Sequence, residues 1–123
     1  MNTNHHNRRD RRKFVSIPAE VVLNVKNGNA LLAYAVLRLH ADGYGNTIMS
    51  HATIARHMGF TSANTARKAV ELLESVGAVT VTRRWGGPDG TVITGDSDDT
   101  HRARLAAHYR LNTVIDDDAE DQL

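Results

Sequence analysis

The chain has 123 residues, 41% of them apolar and 24% charged, a balance that fits one soluble domain with a single core. Its longest uncharged apolar run, Ala30 to Leu37, is too short to span a bilayer, and the polar, charged beginning is no secretory signal. With no cysteine there are no disulfides, thiol nucleophiles or Cys-based zinc sites, and the expected setting is cytoplasmic.

The net charge of +1 averages over segments of opposite sign. Residues 1–13 carry Arg8, Arg9, Arg11, Arg12 and Lys13 against Asp10, which is +4, and their low apolar content predicts a disordered basic arm. Order is expected from Phe14 to Asn112, as one domain. Phe14-Val15-Ser16-Ile17 reads as a short strand, and Pro18 stands where a helix can start. A first helix is predicted from Ala19 to about Val25, ended by the turn-forming Asn27-Gly28-Asn29. The run ALLAYAVLRLH, from Ala30 to His40, is apolar nearly all round and predicts a second helix in the middle of a small core. Asp42-Gly43-Tyr44-Gly45-Asn46 ends it, and Thr47-Ile48-Met49 can form one short strand.

Two helices follow in close succession. Ser50 is a good N-cap for a third helix, whose apolar stripe is Ile54, Ala55 and Met58 and whose end is Gly59. Thr61 or Ser62 caps a fourth, running from about Ala63 to Val76 and stopped by Gly77. Its stripe is Ala66, Ala69/Val70, Leu73 and Val76. The opposite face carries Asn64, Thr65, Arg67, Lys68, Glu71 and Glu74, with the bases nearer the N-terminus. That gradient opposes the helix dipole, so self-stabilisation does not explain it.

After Gly77 the apolar period changes to two. Val79 and Val81 alternate with Thr80 and Thr82, followed by Arg83, Arg84 and Trp85. A second alternating run places Ala103, Leu105, Ala107, Tyr109 and Leu111 on one side and Arg102, Arg104, His108 and Arg110 on the other. The two runs are expected to pair as a hairpin with residues 86–101 as a long, partly acidic tip, within which Thr91-Val92-Ile93-Thr94 either adds a strand or does not. Beyond Asn112 the chain carries Asp116, Asp117, Asp118, Glu120 and Asp121, and residues 113–123 are expected to be a disordered acidic tail of charge −5.

Helix, tight turn, helix and antiparallel hairpin is the order of a winged helix. Ala55 is small where the third helix must approach the fourth, and Gly59 opens the turn between them. The segment IARHMGFTSANTARKAVELLESVGAVTVTRR resembles the winged helix-turn-helix of bacterial regulators. Together with FVSIP, GNALLAYAVLRLH and the closing YRLN, it looks most like the helix-turn-helix domain of plasmid and phage replication initiators, over residues 14–85 and 108–112. The resemblance implies an α+β winged helix-turn-helix of about four helices, with a short N-terminal strand and a C-terminal β-hairpin wing, that binds DNA.

The residues point the same way on physical grounds. Twelve of the fifteen basic side chains are Arg, the type suited to forked contacts with phosphate and guanine. A helix fits the major groove, where Asn64 can pair with adenine and Arg67 with guanine, while Ser50, Thr61, Ser62, Thr65 and Lys68 can reach phosphates or base edges. Arg83 and Arg84 in the wing, with Arg102 and Arg104 opposite, are expected to straddle the neighbouring backbone or minor groove, and Arg8, Arg9, Arg11 and Arg12 to follow a groove. Trp85 is expected to anchor the wing root rather than insert into a partner.

The plainer reading of the fourth helix is a solvated polar face. Seven histidines invite a metal, but His51 and His57 fall on different faces of one helix and no carboxylate recurs with them at ligand spacing. Asp96, Asp98 and Asp99 lack the pattern of a calcium loop, and GGPDG does not lie between a strand and a helix as a phosphate loop would. We therefore expect no enzyme, no metal and no cofactor, but sequence-specific binding of double-stranded DNA by a homodimer formed in solution or on the DNA, with no membrane partner. Transcriptional regulation in a bacterium, plasmid or phage is the leading role; replication initiation or plasmid segregation uses the same surface. A winged helix that docks an acidic protein is the alternative of another class.

Overall fold

The computed structural model describes residues 14–95 and 103–112. Four helices lie against a four-stranded antiparallel sheet. The arm, the tail, Asp96, Asp98, Asp99, His101 and Arg102 lie outside the described residues. No described helix is long and apolar enough to cross a membrane.

Helix α1 spans Ala19–Val25 after Pro18, and Val21 and Val25, one turn apart, are its buried residues. Lys26 ends it in a left-handed conformation. Asn27-Gly28-Asn29 is not a separate turn. Asn27 caps α2 (Gly28–His40), its side-chain oxygen accepting the Ala30 N–H at 2.9 Å, so the helix opens two residues earlier than the apolar run suggests. Ala30, Ala33, Tyr34, Val36 and Leu37 of α2 are buried, but Leu32 and Leu39 are exposed, so this helix is covered on one side and not all round.

Strand β1 (Asn46–Met49) follows a turn closed by Asp42, whose carboxylate accepts the N–H groups of Tyr44 and Asn46. Helix α3 (His51–Met58) begins at Ser50, whose hydroxyl accepts the Thr53 N–H, and ends at Gly59 with φ at +92°. Helix α4 (Ala63–Ser75) begins at Ser62, whose hydroxyl accepts the Asn64 N–H. Its buried stripe is Ala66, Ala69, Val70 and Leu73; Val76, expected to complete it, lies past the last turn and is exposed. The fully buried large side chains are Tyr34, Leu37, Ile54, Leu73, Val79, Tyr109 and Leu111, drawn from α2, α3, α4 and the sheet. Burial of this apolar surface is the main stabilising term.

The sheet corrects one expectation and decides another that the sequence leaves open. The segment 14–17 is not a strand: only Ile17 of it packs against the core, and it joins no ladder. Alternation alone favours an extended chain, whereas a strand also needs a hydrogen-bonding edge in register. The open point concerns the hairpin. Strands β2 (Val79–Gly86) and β4 (Arg104–Leu111) do pair, but the chain first turns at Pro88–Gly90 and returns as β3 (Val92–Thr94) along the other side of β2. The short strand within the tip therefore forms, and the sheet order is β1-β4-β2-β3.

Between the pairs Thr82↔His108 and Arg84↔Leu105 the register of β2 and β4 shifts by one, the extra residue lying on β4. Below the bulge, Val79 faces Leu111 and Val81 faces Tyr109; above it, Trp85 faces Arg104. A one-residue shift exchanges the faces of a strand, so Arg104, expected opposite Leu105 and Tyr109, comes over the Trp85 ring with its guanidinium carbon 5.9 Å from the centroid.

Candidate functional site

The polar face of α4 holds most of the nominated residues. Thr61, Ser62, Asn64 and Lys68 are exposed, and Thr65 and Arg67 are half-buried. Asn64 and Arg67 are joined to each other: the Arg67 Nε donates to Asn64 Oδ1 at 3.0 Å, and Nη2 donates to the same oxygen. Arg67 Nη1 also donates to Glu71 Oε2 at 2.8 Å. Part of the charge gradient on this helix is thus an ion pair one turn long, with Arg on the N-terminal side, the weaker order for such pairs. Asn64, Thr65 and Lys68 also line a cleft of about 370 Å³, whose other wall is Asn27 and Asn29 at the start of α2.

Of the four arginines expected to act together at the hairpin, the three that are described have different engagements. Arg83 turns toward α4 and lies 3.7 Å from Glu74 Oε1. Arg84, its neighbour on the strand, turns the other way and donates from Nη1 to the Ala106 carbonyl at 2.9 Å, closing the bulge. Arg104 is exposed, and Arg102 lies outside the described residues. Trp85 is half-buried, and its indole N–H donates to the Gly95 carbonyl at 2.7 Å, which ties β2 to the end of β3; it is not among the side chains packed against the core, so it does not anchor the root of the hairpin there as expected.

A second hollow, about 230 Å³, lies where the start of α3 meets β4. Ser50, His51, Arg104 and Tyr109 are among its lining residues. The Ser50 hydroxyl accepts the Thr53 N–H at 3.1 Å and donates to the Thr53 hydroxyl at 2.9 Å, so its first duty is to the helix. Burial holds His51 below its ordinary pKa, and Arg104, Arg67 and Arg83 lower it further against the opposing pull of Glu71. Tyr109 is fully buried, and burial pushes its hydroxyl up to about 12 despite Arg104 and Arg83.

Among the described residues no group of three or more His, Asp or Glu side chains is gathered to hold a metal ion. The His40 and His57 rings meet, at 4.6 Å between centroids. Sequence reasoning nominated neither His51 nor Tyr109 for the site. His51 was legible as the first residue after an N-cap, whereas Tyr109 reads only as a core position. Comparison of the chain with protein-family models, with characterised proteins and with solved structures finds no match.

Proposed function

We propose that the chain is a winged-helix protein that binds double-stranded DNA with sequence preference, as a homodimer, and regulates transcription in a bacterium, plasmid or phage. In this reading α4 enters the major groove and the hairpin of β2, β3 and β4 is the wing. The observation that carries it is the layout of α4. Its apolar stripe is buried while Asn64, Arg67 and Lys68 stand on a face turned to solvent, and Asn64 and Arg67 present an amide and a guanidinium held side by side. Those are the groups that pair in forked geometry with adenine and guanine. The wing contributes chiefly Arg104, since Arg83 and Arg84 are held by Glu74 and the Ala106 carbonyl.

The test begins with selection of a preferred duplex from a random pool. Asn64→Ala and Arg67→Ala are each expected to cost about 1–3 kcal/mol on that duplex and much less on random DNA, with circular dichroism confirming the fold. Light scattering on the complex is expected to give two chains per site. Equal losses on both DNAs would remove base reading by α4. If, in addition, the wild-type protein selects no sequence, a protein partner for the basic face becomes the better account.

A further inference from the structure

The hollow between α3 and β4 contains an arrangement that base reading does not use. On α3, the Ser50 hydroxyl takes the Thr53 N–H and the Ser50 carbonyl takes that of Ile54, leaving the N–H groups of His51 and Ala52 without an acceptor in the helix. Arg104 lies alongside, brought there by the bulge, and among the described residues it meets no carboxylate. The other two arginines that act on His51 are balanced: Arg67 by Glu71, Arg83 by Glu74. Tyr109 lines the hollow, and its buried hydroxyl has no hydrogen-bond partner among the described residues. Amide N–H groups and a guanidinium that meets no described carboxylate suit an acceptor-rich anion, and the unpartnered Tyr109 hydroxyl lies buried behind them.

We propose that this hollow holds one phosphate group, presented by a DNA backbone or by a small phosphorylated compound, and that His51 takes up a proton from solvent as the phosphate enters. For the backbone source the inference rests on the DNA reading above. The charges facing His51 are Arg104 from β4, Arg83 from β2, and Arg67 and Glu71 from α4. With the hollow empty, burial first and then the positive balance of these charges hold His51 below its ordinary pKa, so the imidazole is neutral at neutral pH. An incoming phosphate offsets part of that positive balance and favours the imidazolium. Binding is then linked to uptake of one proton, so affinity rises as pH falls. The slope approaches about tenfold per pH unit between the pKa of the empty state and that of the occupied state, and vanishes outside that window.

The experiment follows the His51 ring by NMR as pH is varied, in chloride, in inorganic phosphate and with a short random-sequence duplex, and measures duplex affinity over the same range. The midpoint of His51 is expected to rise with phosphate, with the duplex, or with both. His51→Gln is expected to flatten the pH dependence of duplex binding, His57→Gln to leave it, and Arg104→Gln to shrink the phosphate-induced shift. A His51 midpoint that moves with phosphate when no duplex binds keeps the hollow as a site for a small phosphorylated compound and removes the DNA reading. A duplex that binds while His51 stays where it is in chloride, with neither phosphate nor the duplex moving it, overturns the inference and leaves the DNA reading intact. A His51→Gln protein that keeps the full pH slope overturns it as well.

Discussion

If α4 reads DNA as proposed, Arg67 must leave Glu71 to meet a base, and this gives a perturbation whose effect runs against intuition. Both side chains are open to water, 40% exposed for Arg67 and 53% for Glu71, so their pair at 2.8 Å is a surface salt bridge. Such pairs contribute about 0.2–1 kcal/mol. Glu71→Gln keeps the shape and removes the charge, so Arg67 no longer pays that amount to turn toward DNA. Affinity is expected to rise by about 1.4- to 5-fold at low salt. A carboxylate near the groove also repels phosphate directly, and that part of the gain fades as the Debye length shortens to about 8 Å at physiological ionic strength. The control is Glu20→Gln, the same charge change in the cleft formed with Val76 and Gly77 just beyond α4. Fluorescence titrations at low and physiological salt, on preferred and random duplexes, separate the two variants. Glu71→Gln is expected to exceed Glu20→Gln, and most clearly on the preferred duplex. If the two variants gain equally, only net charge matters; if Glu71→Gln loses affinity with its fold intact, Glu71 positions Arg67 and the competition argument is wrong.

Arg84→Ala removes the bond that closes the β4 bulge, and is expected to lower stability by about 0.5–1.5 kcal/mol in urea unfolding while changing DNA affinity little, because its guanidinium is already committed to Ala106. Leu73→Ala, at a fully buried position of α4, is expected to cost about 2–5 kcal/mol, read from the unfolding midpoint at unchanged denaturant slope. Asp42 accepts the Tyr44 and Asn46 N–H groups, and the Asn46 bond is the largest cause holding its carboxyl below the ordinary value of 3.8. The stabilisation is therefore complete above that value and lost as pH falls through the lower, folded one, so Asp42→Asn is expected to lower the thermal midpoint at pH 7 but to match wild type in strong acid.

The helices were legible because their ends are written in single residues. Ser50, Gly59, Ser62 and Gly77 each do a local job that the residue type announces, and α3 and α4 start and stop within a residue or so of those marks. The opening of α2 was missed because Asn27-Gly28-Asn29 is equally good as a turn and as a cap followed by a first helical turn. What the chain does not announce is partnership between distant segments. Nothing in Phe14-Val15-Ser16-Ile17 says that no edge awaits it, and nothing in Val92-Ile93-Thr94 says that β2 has a side to spare. The bulge falls among Leu105, Ala106 and Ala107, side chains with no turn signature, so the change of face at Arg104 could not be foreseen. The α4 candidates were readable by type and spacing. Their present engagements, Asn64 with Arg67 and Arg83 with Glu74, depend on rotamers and on the approach of β2 to α4.

The position of β4 bears on how the chain matures at the ribosome. It is the last described element in sequence, yet it lies inside the sheet, between β1 and β2. Its end is fastened by the Leu111 N–H to the Gly45 carbonyl at 2.8 Å, and by the Asn112 amide to the Gly77 carbonyl at 2.9 Å. Until residues 104–111 emerge, β1 has no partner and β2–β3 is an isolated hairpin, too small to hold in water. The nascent sheet therefore stays undone until then, and a ribosome that stalls before Arg104 leaves a product with unpaired strand edges, the kind of species that aggregates or is degraded.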